Sequence, residues 1–140
     1  MSTAKETNPA TFRKGDQIIR VTVWTDKLGE EGVAVYPIAI VQSFGKKQGT
    51  AQVEGENTRH RLYAGDPGLF HASDEEAAIA HGRERLRYSI EHSLHACSRN
   101  VETEDDPRGF WKNELAERQS QADAKVWETC KVVRPSYWIS

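Results

Sequence analysis

The sequence predicts an α+β fold: an antiparallel sheet of three to five strands packed against one amphipathic helix, with a C-terminal helical extension. Three features carry that prediction. The first half holds β-branched segments separated by short polar loops with glycines. A helix-start signature at Ser73 then opens a long stripe of apolar residues spaced by three and four. Beyond residue 98 an acidic stretch leads into a segment rich in aromatic residues.

Taken in order, residues 1–12 are polar, contain Pro9 and show no periodicity, which describes a flexible N-terminal arm. Gln17–Thr25 reads as a strand, with Ile19, Val21 and Val23 on one face and Arg20, Thr22 and Trp24 on the other. The polar stretch 26–32, with Gly29 and Gly32, is a hairpin loop. Residues 33–44 form the most apolar run, a strand buried on much of both faces. Pro37 has no N–H to give to a ladder, so the strand should be an edge or carry a bulge there. Shorter strands follow at 50–53 and 58–64. In the second, Arg59, Arg61 and Tyr63 alternate with His60, Leu62 and Ala64, the pattern of a sheet with one wet face.

The turn at Gly65, Asp66, Pro67 and Gly68 ends the strands. Ser73 followed by Glu76 matches a capping box, and three acids in the first turn complement the helix dipole. The helix is expected over about 74–96, with Ala78, Ile79, Gly82, Leu86, Ile90, Leu94 and Cys97 on one stripe. Gly82 within that stripe costs about 1 kcal/mol against alanine, which fits a helix backbone pressed close to the sheet. Asp106 before Pro107 would start a second helix over 107–124, with a thin stripe of Trp111, Leu115, Arg118 and Ala122. Residues 126–133 fit a strand or a continued helix. The apolar tail around Tyr137 and Trp138 is expected to dock. Residues 13–98 thus form the core, and 99–140 an acidic loop and helical, aromatic extension of the same domain.

Composition narrows the classes of function. The chain has 140 residues, 37% of them hydrophobic, and a formal charge of −2. Residues 1–99 balance, with 13 basic and 13 acidic side chains, so the core has no bulk field for nucleic acid or an anionic membrane. No segment approaches the roughly 20 apolar residues that span a bilayer, and the N-terminus lacks an apolar signal region. These features imply a cytoplasmic chain with Cys97 and Cys130 as thiols.

No nucleophile elbow, phosphate loop, dinucleotide fingerprint or zinc-protease motif occurs, and no cofactor is implied. His92 and His95, spaced i, i+3, are the one metal-like pair, but a full ligand set is missing and two solvated histidines near a helix end explain them better. Lys46, Lys47, Arg59, Arg61, Arg83, Arg85 and Arg87, with Trp24 and Tyr63, would make a basic aromatic surface for single-stranded nucleic acid if they converged. The neutral core disfavours that. Trp111, Trp127, Tyr137 and Trp138 are either core or the anchors of an interface. The expectation is therefore a small non-enzymatic binding module acting on a protein partner, as regulator or inhibitor, or on a copy of itself. A nucleic-acid module on the Arg83 to Arg87 helix face, or a small metal-dependent enzyme at His92 and His95, are the alternatives.

Overall fold

The computed structural model describes residues 12–26, 29–103, 105 and 108–138. Seven strands and three helices follow one another as β1 (Gln17–Thr25), β2 (Glu31–Val35), β3 (Ala39–Phe44), β4 (Gln48–Val53), β5 (Arg59–Tyr63), β6 (Leu69–His71), α1 (Glu75–Thr103), α2 (Phe110–Ala124), α3 (Val126–Thr129) and β7 (Val132–Val133). The α+β class holds. The sheet, however, is larger than the three to five strands expected, and it is mixed. The division of 33–44 into β2 and β3, and the added strand β6, account for the difference. β6 adds to β1 antiparallel, and β7 adds to β2 parallel.

The apolar run 33–44 is one strand in intent, interrupted where proline forbids the ladder. β2 pairs Val21 with Val35, and β3 pairs Ile18 with Ala39. The register slips by one residue across Tyr36, Pro37 and Ile38. That slip is the bulge a missing N–H requires.

α1 lies on β1 and β2 where Gly82 allows it. A Cβ at Gly82 would stand 2.7 Å from Val33 Cγ1 and 2.9 Å from Val21 Cγ2. Ile19, Val21, Val33, Val35 and Ala78 form the buried cluster at that crossing. Leu86 and Ile90 are fully buried one and two turns on, but their neighbours include Trp127 and Val126 of α3 as well as Val23 of β1. The opposite face of the sheet holds a second cluster of Phe12, Ile18, Val41, Val53, Leu62, Leu69 and Trp138. Phe12, the last residue of the expected arm, therefore belongs to the core; residues 1–11 lie outside the described residues.

The start of α1 differs from expectation. Residues Ala72–Asp74 form a 3-10 turn with no side-chain cap, and Ser73 sits inside it rather than ahead of the helix. The helix also runs on to Thr103, because α2 packs along its second half. At 29 residues it is about 43 Å long. None of the α2 side chains is fully buried, as the thin stripe implied. Asp106 and Pro107 lie outside the described residues. The ambiguous 126–133 segment resolves into one helical turn followed by a two-residue strand, with Lys125 at φ 48° bending the chain between α2 and α3.

Candidate functional site

β1 is paired along both of its ends on one edge, with a gap at Ile19 and Arg20, and along only its first half on the other. On the first edge β3 and β2 follow in succession. On the second, β6 pairs with Ile18, Ile19 and Arg20, and the Val21 N–H donates to the Gly68 carbonyl at 2.9 Å. Beyond that point no described strand pairs with β1 on this edge. The chain is turned away there by Asp66, whose Oδ1 accepts from the Gly68 N–H at 2.8 Å. Arg20 holds Asp66 from the strand side, with Nε 3.9 Å from Oδ2.

The direction of each backbone group in β1 follows from its partners. Val33 donates its N–H to the Lys131 carbonyl at 3.0 Å, so its polar groups face away from β1. Val23 is paired with Val33 and is thus a non-hydrogen-bonded position, with its own N–H and C=O on the opposite, open edge. Thr22 and Trp24 point theirs into β2 by the same alternation.

α1 forms a wall beside this edge. Arg20, Val21, Thr22 and Val23 with Asp66 and Gly68 make one side of a groove of about 920 Å³, and His81, Glu84, Arg85, Tyr88, Ser89, His92 and Ser93 make the other. His81 packs its ring against Phe70 at 5.5 Å between centroids. Its Nε2 is closed from solvent without a hydrogen bond among the described residues. Burial, reinforced by the Arg85 charge and opposed by Asp66, holds the imidazole below its ordinary pKa, so it is the neutral form that fits. Arg85 itself makes no ion pair among the described residues. Tyr88 and His92 stack at 5.8 Å and form an exposed aromatic step farther along.

The residues singled out from the sequence fall in separate places. Trp127 is 7% exposed within the Leu86 and Ile90 cluster. Trp138 is 4% exposed in the other core cluster, donating to the Pro37 carbonyl. Neither ring is available to a partner. Trp111 is half-buried and meets Phe110 edge to face at 4.9 Å. Tyr137 is exposed.

Arg83 and Arg87 do not join the basic residues of the strands. Arg83 donates to the Trp127 and Glu128 carbonyls at 3.1 and 2.8 Å, satisfying the end of α3. Arg87 lies over the Trp127 ring at 5.7 Å and pairs with Glu84 and Glu91. Lys46, Lys47, Arg59 and Arg61 do share one region, the β3–β4 turn and the neighbouring strand β5.

His92 and His95 part company. His92 borders the groove along β1, whereas His95 lies between α1 and α2 beside Leu94, Lys112 and Leu115. Among the described residues no group of three His, Cys, Asp or Glu side chains is placed to hold a metal ion. No described helix is long and apolar enough to cross a membrane.

Sequence reading did not find the groove. Its floor is an unpaired strand edge, and edges are decided by topology. The signal that could have pointed to it is the His81, Arg85, Tyr88 and His92 series, spaced by three and four on α1 beside the apolar stripe. Comparison with protein-family models, curated proteins and solved structures gives no match.

Proposed function

We propose that this chain is a binding module that takes an extended segment of a protein partner as an added strand on the open edge of β1. The observation that supports it is the outward N–H and C=O of Val23, lying in a groove whose other wall is α1. A strand edge is a template for another extended chain, and main-chain hydrogen bonds supply its affinity. The wall then reads alternate side chains. Arg85, with no ion-pair partner among the described residues, favours a segment carrying a carboxylate near the Gly68 end, where β6 stops the added strand. A continuous sheet between two copies is disfavoured, because each edge is overhung by its own α1.

The test uses short unstructured peptides selected from a display library on the folded protein. Val23→Pro removes the outward N–H and leaves the Thr22 and Trp24 ladder bonds to β2 in place. Selected peptides should lose about tenfold or more in affinity for that variant, the equivalent of about 1.4 kcal/mol. Arg85→Glu should weaken the acidic peptides among them. Should Val23→Pro fail to fold, N-methylation of alternate peptide amides asks the same question from the other side. Peptides that bind Val23→Pro as tightly as the parent, or tolerate every N-methyl group, would overturn the proposal.

A further inference from the structure

The outer face of β3, β4 and β5 has an independent character. Side chains alternate across these strands, and one set is core: Val41, Ala51, Val53, His60 and Leu62 are buried. The other set faces out. The registers place Arg59 beside Gln52 and Ile40, Arg61 beside Thr50 and Ser43, and Tyr63 beside Gln48. The helices pack chiefly on β1, β2 and β6 and on one another. Arg59, Arg61 and Tyr63 therefore stand in a row on an uncovered face, and Tyr63 is 55% exposed.

Lys46 and Lys47 join the Tyr63 end of this row. Lys47 accepts the Ala64 N–H on its carbonyl at 3.0 Å, which fixes the turn against the end of β5. None of these four cations forms an ion pair among the described residues. The acids nearest in the chain, Glu54 and Glu56, sit in the β4–β5 turn beyond Arg59, and Glu56 is held by His60 at 3.2 Å. The neutral charge of the core thus hides a local segregation: Arg83 and Arg87 are spent on α3 and on acids of α1, whereas Lys46 and Lys47 of the turn and Arg59 and Arg61 of β5 have no ion-pair partner among the described residues.

We infer that the outer face of β3–β5 is a second binding site, for single-stranded nucleic acid, with Lys46, Lys47, Arg59 and Arg61 on phosphates and Tyr63 stacking a base. Successive outward side chains on one strand are about 6.7 Å apart, a spacing suited to the stretched backbone of an unpaired strand. Gln48, Thr50 and Gln52, opposite Tyr63, Arg61 and Arg59 on β4, add polar groups without charge. Cationic residues that track a backbone and an exposed ring that stacks a base are the two parts such sites combine, and stacking tolerates any sequence.

The site is tested with fluorescein-labelled oligouridylate and oligothymidylate of about 12 nucleotides, read by anisotropy. Binding is expected at about 50 mM salt and should fall steeply by about 200 mM. Arg59→Glu/Arg61→Glu should weaken it by about tenfold or more. Tyr63→Ala should cost about fivefold or more, with Tyr63→Phe restoring it. Arg83→Glu/Arg87→Glu, judged only if circular dichroism shows it folded, should be far less damaging. Absence of binding at the lower salt would overturn the inference. So would a DNA duplex and heparin binding as tightly with Tyr63→Ala neutral, since that pattern is polyanion adhesion only.

Discussion

The indole N–H of Trp138 donates to the carbonyl oxygen of Pro37 at 2.6 Å, joining residues 101 positions apart in sequence. The bond has a local cause at each end. Pro37 interrupts the strand that would otherwise run from β2 into β3, and its carbonyl leaves the ladder. The C-terminal tail brings the ring in beside His60 at 5.6 Å and Tyr36 at 6.5 Å, so the indole fills the core and satisfies the stray carbonyl together.

Replacing Trp138 separates those two contributions. Trp138→Phe keeps most of the apolar area but leaves a half-buried carbonyl without its donor, and should cost about 0.5–1.5 kcal/mol. Trp138→Ala also opens a cavity and should cost about 3–5 kcal/mol. Urea titration of both variants checks the order. Equal losses would mean that the packing of the ring contributes nothing beyond the hydrogen bond, and an unaffected Trp138→Phe would mean that the hydrogen bond contributes nothing.

At Gly82 two effects oppose each other. Alanine would gain about 1 kcal/mol of helix propensity. Its Cβ, however, would stand 2.7 Å from Val33 Cγ1, between two strands that cannot yield easily, and overpacking of this kind costs about 1–3 kcal/mol. Gly82→Ala should therefore destabilise. In a Val21→Ala/Val33→Ala background, where the clashing methyls of both strands are absent, the same change should be neutral or better. A stabilised single variant would show that α1 does not press on the sheet at this point.

Leu86→Ala should cost about 2–5 kcal/mol, because Leu86 is fully buried where α1, α3 and β1 meet. A loss below about 1 kcal/mol in urea titration, with unchanged slope, would contradict the packing of that junction.

His81 predicts a pH dependence with a definite sign. Burial, helped by the Arg85 charge, lowers its folded pKa below the ordinary imidazole value. In that window the unfolded chain binds more protons than the folded one, so stability rises with pH. The contribution is complete above the unfolded pKa and is lost as pH falls toward the folded one. His81→Gln should flatten the slope of stability between pH values of about 5 and 7. An unchanged slope would place the responsible group elsewhere.

Much of this fold is legible locally. β1 has the bounds its β-branched run implies, the break at Pro37 follows from a missing N–H, and Gly82 marks the close approach of helix to sheet. What is not legible depends on partners distant in sequence. β7 is two residues long and exists because Lys131 meets Val33. Ser73 makes a good cap on paper, yet the link from β6 winds into a 3-10 turn and leaves it inside. Trp127 and Trp138 carry the same ambiguity from sequence as any aromatic residue, and only the sites where α3 and the tail dock decide that they are core. The candidate groove is the extreme case, since a strand edge is open only by virtue of which strand stops short. Arg83 and Arg87 group with the strand and turn cations by charge alone, whereas geometry commits Arg83 to the end of α3 and Arg87 to the Trp127 ring and to acids of α1.

Amide hydrogen exchange along β1, followed residue by residue by NMR, tests the open edge most directly. The Thr22 and Trp24 amides, directed into β2, should exchange slowly, and the Val23 amide between them should exchange much faster. Adding a selected groove-binding peptide should slow Val23 and leave its two neighbours as they were. If Val23 is as protected as Thr22 and Trp24 in the free protein, or if a bound peptide leaves it unprotected, β1 has no open edge for an added strand and the binding-module account fails.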